Sequence, residues 1–426
     1  MDKYKEYKDV SMGWLGRIPA HWTTVPLKYS IGKSPFSFVD GDWIESKVIE
    51  SEGIRYLTTG NVGVINYKEQ GNGFISDKTF RELNCTEVFP GDVLISRLNF
   101  PIGRSCIVPD LGYRIVVAVD NVIFRPDETK YNKKYLVYQM NCYPYSENAN
   151  FIARGSTMQR ITRTQLGALK LCVPPLEEQN VMVGFLDKKC SEIDNVISAQ
   201  QKRIALLQEL KQSVITHAVT KGLDPNVEMK DSGVEWIGIT PFSWKYCRFK
   251  DFLKLRTEAS ESLTKIGLEN IESKSGKFIE TGTEFEGNGV AFSTRNIVYG
   301  KLRPYLQKVW LAEFEGNAVG DFFVFEIKKN AIPSFIKYLM LSDGFTKEAD
   351  GSTVGAKMPR VSSSFILTMH YCLPSIEEQQ TIVEYLTKRC ASLDIALTKA
   401  QHQVELLQEY KQSLITEVVT GKRKVS

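Results

Sequence analysis

Residues Cys172–Thr220 open with Cys-Val-Pro-Pro-Leu-Glu-Glu-Gln and close with Leu-Leu-Gln-Glu-Leu-Lys-Gln-Ser-Val-Ile-Thr-His-Ala-Val-Thr. The segment returns without a gap 200 positions later, at Cys372–Thr420, with about 22 of 49 positions identical. Glu177-Glu178-Gln179 matches Glu377-Glu378-Gln379, and Lys211-Gln212-Ser213 matches Lys411-Gln412-Ser413. An internal repeat of this kind governs the whole fold.

Each copy reads as one long helix. From Cys190 onward, apolar residues recur at alternating steps of three and four: Ile193, Ile197, Ile204, Leu207 and Val214. Leu393, Leu397, Val404, Leu407 and Leu414 occupy the same seam in the second copy. A spacing that averages 3.5 is the signature of a coiled coil. Ser375-Ile-Glu-Glu378 reads as a capping box, and Pro175 before Glu177 and Glu178 suits a first helical turn. Gly222 and Gly421 stand where a helix would stop. About 40 residues of helix are roughly 60 Å long. The two helices are expected to pair with each other: each buried seam Leu or Ile contributes roughly 1.5–3 kcal/mol, which outweighs the cost of Lys211 and Lys411 on the seam.

Ahead of each helix lies a globular stretch. Trp14-Leu-Gly16-Arg-Ile-Pro19-Ala-His-Trp22 recurs as Trp236-Ile-Gly238-Ile-Thr-Pro241-Phe-Ser-Trp244, a domain-opening turn whose indoles anchor to a core. Strands are expected at Asp92–Arg97, at 115–119, at Asn121–Phe124, at Asn296–Lys301 and at Asp321–Phe325. Short helices should follow at Lys134–Met140 and Ser334–Met340. Two polar loops share a flavour. Gly155-Ser-Thr157 leads into Met158-Gln-Arg160, and Gly351-Ser-Thr353 precedes Met358-Pro-Arg360, four residues further away. Loops that keep hydroxyl and Arg side chains while changing length suit variable recognition surfaces.

Composition narrows the class. A 426-residue chain with 42% apolar and 24% charged residues is ordinary for a soluble protein of two or three domains. No apolar run reaches the ~18 residues of a membrane span, and the N-terminus lacks a signal-peptide core. The eight cysteines include no Cys-x-x-Cys pair and read as reduced, packed thiols of a cytoplasmic protein. A net charge of +4 permits DNA binding only if the basic residues gather on one face.

The Trp-x-Gly-x-x-Pro-x-x-Trp openings, the Leu/Ile-Glu-Glu-Gln helix starts and the Leu-Leu-Gln-Glu-x-Lys-Gln-Ser-x-Ile-Thr helix ends resemble the specificity (HsdS) subunits of type I restriction–modification systems. Arg97-Leu-Asn-Phe-Pro and Lys301-Leu-Arg-Pro-Tyr305 resemble the mid-domain segment of such subunits. The resemblance covers nearly the whole chain. It implies an α+β fold with two mixed α/β target-recognition domains, residues 1–171 and 223–371, and spacer helices in 172–222 and 372–426. It further implies a non-catalytic chain that binds double-stranded DNA at a bipartite site and carries two methyltransferase subunits, joined by restriction/translocase subunits. S-adenosylmethionine, ATP and Mg²⁺ would then belong to those partners, with no cofactor in this chain. Connectivity supports an antiparallel spacer with a pseudo-twofold repeat, because parallel helices would leave the second globular stretch spanning roughly 60 Å.

The expected DNA contacts are Arg97, Arg104, Arg154, Ser156, Thr157, Gln159 and Arg160 in the first domain. In the second they are Lys301, Arg303, Lys308, Thr353, Lys357 and Arg360, since Arg and Lys reach phosphate or guanine edges and small polar side chains reach bases. Two other classes compete. Asp110, Glu128 and Lys130 fit the loose Pro-Asp…Glu-x-Lys pattern of a Mg²⁺-dependent nuclease. A purely architectural coiled-coil scaffold is the other. Methyltransferase motifs are absent from the sequence. Gly32-Lys33-Ser34 lacks the first Gly of a phosphate loop, because Leu27 stands there. No Cys/His cluster has metal spacing.

Overall fold

The computed structural model describes residues 3–155, 158–259, 264–355 and 357–425. The chain is mixed α/β and divides into two compact units, Met1–Ala199 with Gln403–Ser426, and Gln200–His402. Two helices dominate it, Leu176–Lys221 and Ile376–Val419.

In the first unit a four-stranded antiparallel sheet runs in the order Phe38–Asp40, Asn121–Phe124, Val93–Ser96, Ser105–Ile107. A smaller sheet joins Phe74–Ile75, Ile54–Leu57 and Ile115–Val117, the last pair parallel. Two-stranded ribbons pair Tyr7–Asp9 with Arg17–Pro19 and Thr23–Pro26 with Lys170–Val173. The second unit repeats the larger sheet, both ribbons and the parallel pair of the smaller sheet, whose third strand sits against the other member of that pair. Its larger sheet is Leu253–Arg256, Phe322–Ile327, Ile297–Gly300, Val309–Leu311. Lys265–Ile266, Gly316–Val319 and Gly289–Phe292 form the smaller one, again with a parallel pair. Met229–Asp231 pairs with Ile239–Pro241, and Lys245–Arg248 with His370–Leu373. The runs Val93–Ser96, Asn121–Phe124 and Ile297–Gly300 are buried at every position, so they read as continuous rather than alternating apolar strands. Helices Lys133–Met140 and Pro333–Met340 follow, within a residue of expectation.

Within each unit the two long-helix segments run antiparallel. In the first, Asp194 meets Lys411 at 2.7 Å, while the Tyr135 hydroxyl donates to the carbonyls of both Cys172 and Val419. In the second, Lys211 Nζ meets Asp394 at 2.6 Å, and the Tyr371 hydroxyl donates to the Val219 carbonyl. The seam residues are covered: Ile193, Ile197, Leu393 and Leu414 are buried, whereas Ile204, Leu207, Val214, Leu397, Val404 and Leu407 are partly so. Toward the helix ends the stripe widens to take in Ile215, Ala218 and Val219, and likewise Ile415, Val418 and Val419, where the sheets and short helices cover it.

The repeated motifs turn out to be joints. Gln179 and Gln379 are fully buried one turn into their helices. The Gln179 side chain accepts from Asn132 N at 2.8 Å and donates to the carbonyls of Pro174 and Lys130. Gln379 does the same with Ile332 N, Pro374 and Asn330. Trp22 and Trp244 donate their indole N–H to Glu178 and Glu378. Gly421, at φ 72°, ends its helix against Pro19 and Trp22. A Cβ there would lie 2.4 Å from Pro19, so only glycine fits. Gly222, at φ 76°, abuts Pro241 and Trp244. The expected capping box is half formed: Ser375 Oγ accepts from Glu378 N, but the Glu378 carboxylate is taken by Trp244.

Candidate nucleic-acid interface

In each unit three backbone segments meet at the end of the larger sheet. Arg97 N donates to the Asp120 carbonyl at 2.8 Å and Ile161 N to the Arg97 carbonyl at 3.1 Å. Lys301 and Asp321 repeat the first bond at 2.9 Å, and Val361 and Lys301 the second at 3.1 Å. Isolated bridges join Arg160 to Leu98 and Arg154, and Arg360 to Leu302 and Val354. Asn99 and Arg303 both adopt left-handed backbone, at φ 60° and 52°, and donate to the carbonyls of Gln159 and Pro359.

This frame corrects one alignment. The counterpart of Gly155 is Gly355 and not Gly351, for both have positive φ (123° and 106°) next to the bridging residue. At Gly155 a Cβ would lie 2.4 Å from the Met158 carbonyl, which is why glycine stands there. The shared pattern is Gly-x-x-Met-x-Arg, with the 200-residue offset intact. Thr353 belongs to the preceding helical end, where its hydroxyl donates to the Asp350 carbonyl.

On this frame sits an ion pair, present in both units. Arg160 Nη2 lies 2.8 Å from Asp120 Oδ1. Arg360 grips Asp321 with two hydrogen bonds, Nε to Oδ1 at 3.0 Å and Nη2 to Oδ2 at 2.9 Å. The Arg360 fork holds the Asp321 carboxyl below the usual carboxylate range, and the same bond raises Arg360. In both units the arginine side chain is 46% exposed over an aspartate that is 21% exposed. A second cation backs each aspartate: Arg97 at 3.9 Å from Asp120, Lys301 at 3.7 Å from Asp321.

Three of the expected DNA contacts face inward. Arg97 is buried against Asp40 and donates to the carbonyls of Ile161 and Val119. Arg104 donates to five backbone carbonyls, those of Thr59, Val62, Leu98, Asn99 and Pro101. Lys308 Nζ donates to the carbonyls of Leu268 and Ile271. Burial lowers the pKa of all three, and they cross-link loops rather than present charge to a ligand. Lys301 lies over the Phe323 ring. Arg154, Arg303 and Lys357 are exposed, and Gln159 is partly so. Ser156 and Thr157 lie outside the described residues.

The structure adds residues that sequence reasoning missed. Asp120 and Asp321 are single acids in turns, with no motif around them. Phe100, Met158, Tyr305 and Met358 project from the same loops at 59%, 65%, 46% and 53% exposure. Their signal was present in part, since Met158 and Met358 share the Gly-x-x-Met-x-Arg pattern.

The nuclease constellation is not assembled. Asp110 accepts from Gly112 N, Glu128 pairs with Lys133, and Lys130 pairs with Asp127. Among the described residues no group of three His, Cys, Asp or Glu could hold a metal ion. Among them, too, no helix is long and apolar enough to cross a membrane.

Fold and loops together define a duplicated α/β protein that presents one arginine-bearing loop frame twice, each copy founded on a long helix. Comparison with known proteins shows what a chain of that class is similar to. A family model described as the type I restriction modification DNA specificity domain matches residues 41–206. The specificity subunit of the type I restriction enzyme MjaVIII from Methanocaldococcus jannaschii is 24% identical, covering 100% of this chain and 98% of that protein. The EcoDI specificity subunit of Escherichia coli is 20% identical, covering 95% and 89%. A chain solved in work on complex assembly and conformational transition of the type I R-M system superposes with a TM-score of 0.70 at 12% identity, over 95% of this chain and 99% of that one. The HsdS subunit from Thermoanaerobacter tengcongensis gives 0.50 at 13% identity, over 95% and 98%. Over nearly its whole length the chain is similar to type I restriction enzyme specificity subunits, and its residues 41–206 match the model of their DNA specificity domain.

Proposed function

We propose that the two units each read one half of a bipartite double-stranded DNA site. One observation carries this: the same backbone frame bears different side chains in the two units. Asn99 is replaced by Arg303, and Arg154 by Val354. One frame with two sets of side chains suits two different half-sites, which makes the site asymmetric. The exposed candidates for contact are Arg154 and Arg160, with the partly exposed Gln159, on one side and Arg303, Lys357 and Arg360 on the other, with Ser156 and Thr157 proposed from sequence alone.

In this reading the long helices act as an antiparallel spacer between the two readers. A spacing near one turn of DNA, roughly 34–36 Å, would put both on one face of the duplex. The helices also carry two methyltransferase subunits, which supply S-adenosylmethionine chemistry, and restriction/translocase subunits that use ATP and Mg²⁺. The complex works in the cytoplasm, where its DNA is. The test inserts four residues, about one helical turn, near the midpoint of each long helix and sequences genomic methylation in cells that also express the methyltransferase. The unread gap between half-sites should change length while both half-sites stay the same. An unchanged gap would refute the spacer.

A further inference from the structure

Resting on the reading of the units as DNA readers, we infer that Asp120 and Asp321 are specificity-positioning residues, each holding its arginine end-on toward a guanine in its own half-site.

The geometry is clearest in the second unit. Arg360 spends one edge of its guanidinium, Nε and Nη2, on both oxygens of Asp321. Among the described residues no hydrogen bond engages Nη1, so Nη1 and the second Nη2 hydrogen form a free donor pair at the tip. Two parallel donors are what guanine O6 and N7 accept in the major groove. A guanidinium fixed at one edge has few orientations left to lose on binding, which favours directional contact over loose attraction.

Electrostatics separates a base from a phosphate as the target. A free cation gains from displacing counterions along the backbone, independently of sequence. An arginine whose charge is partly offset by a carboxylate gains less of that kind, whereas its directional hydrogen bonds remain. Each aspartate is also fixed from behind, by Lys301 at 3.7 Å or Arg97 at 3.9 Å, so it does not follow the arginine outward. Lys357, exposed on the same loop without an ion pair among the described residues, is the phosphate-type cation by contrast. An arginine–aspartate ion pair stands on both frames, as a two-bond fork at Arg360 and as a single 2.8 Å contact at Arg160, so the pairing is shared and the surrounding loop supplies the difference between half-sites.

The test uses the complete methyltransferase complex assembled on this chain. The methylated motif is read by genome sequencing, and duplex binding is measured against salt. Asp321→Asn, nearly isosteric, should relax one G·C pair in one half-site by about tenfold and steepen the salt dependence by about one phosphate contact, because Arg360 becomes a free cation. Arg360→Lys, which keeps the charge and loses the fork, should relax the same base pair and leave the slope unchanged. Asp120→Asn and Arg160→Lys should act on the other half-site. A purely structural ion pair would weaken binding at all sequences without steepening the slope, and that result overturns the inference. So does an unrelaxed motif in Asp321→Asn, relaxation of different base pairs by Asp321→Asn and Arg360→Lys, or a half-site with no G·C pair. A chimera with residues 223–371 from a relative of different specificity separates the two levels. If it moves one half-site while Asp321→Asn moves none, the buttress alone fails; if it moves none, the reading beneath it fails as well.

Discussion

Truncating either buried glutamine of the helix starts, Gln179→Ala or Gln379→Ala, should destabilise its unit severely for a single side chain. Each substitution removes three hydrogen bonds: one accepted from a loop N–H (Asn132 or Ile332, both 2.8 Å) and two donated to carbonyls. Both glutamines are 0% exposed, so water does not replace the lost partners. A buried group left without a partner costs about 1–3 kcal/mol, and the vacated volume adds to that. We expect a loss of about 3 kcal/mol. For a unit of this size it lowers the melting temperature by roughly 6–12 °C. The glutamate variants sharpen the argument. Gln379→Glu keeps the acceptor for Ile332 N but faces the carbonyls of Pro374 and Asn330 with a buried charge. Its pKa should be raised, so its penalty is full at neutral pH and shrinks as pH falls through that raised value, where the carboxyl becomes a donor. Thermal and denaturant melts at pH 7 and pH 5 measure this. An alanine variant within 1 kcal/mol of the parent, or a glutamate variant equal to it at pH 7, would refute the reasoning.

Three further outcomes follow from the same coordinates. Lys337 lies in a helix packed under the second unit's sheet, and burial, the largest effect, holds its pKa below 10.5. The unfolded chain then binds the extra proton between the two values, so Lys337→Met should raise the melting temperature at pH 7 and lose that advantage as pH approaches 10.5. Asp394 pairs with both Lys211 and Lys277, at 2.6 and 3.1 Å; burial works against its charge, yet the pairs keep its pKa below 3.8. Its contribution is therefore present above that value and lost as pH falls through the lower folded one, and denaturant titrations should find Asp394→Ala more costly than Lys211→Met at pH 7. Arg97→Met should cost about 3 kcal/mol, because it takes the donor from the Ile161 and Val119 carbonyls and leaves Asp40 only the longer contact to Arg163. Arg360→Ala should hardly move the melting curve, and equal effects of the two on stability would contradict their placement.

Much was legible before any coordinates. The seam residues Ile193 through Leu414 repeat at a spacing only a helix can place on one face, and a gapless offset of 200 residues leaves little freedom in pairing like with like. Buried strands such as Val93–Ser96 announced themselves as continuous β-branched and apolar runs. The candidate site was less legible. Arg97, Arg104, Lys308, Arg160 and Arg360 are all basic residues near Gly-rich loops, and nothing in their sequence neighbourhood separates a cation that cross-links carbonyls from one that faces solvent.

By itself the sequence determined the duplication and the two long helices, and it carried the resemblance to specificity subunits, because periodicity and repetition are properties of the chain. Only the tertiary structure decided which arginines turn inward, that Gly355 and not Gly351 answers Gly155, and that Asp120 and Asp321 stand behind Arg160 and Arg360. Burial and ion pairing join residues dozens of positions apart, and a linear pattern does not encode which side chain wins a given carboxylate or carbonyl.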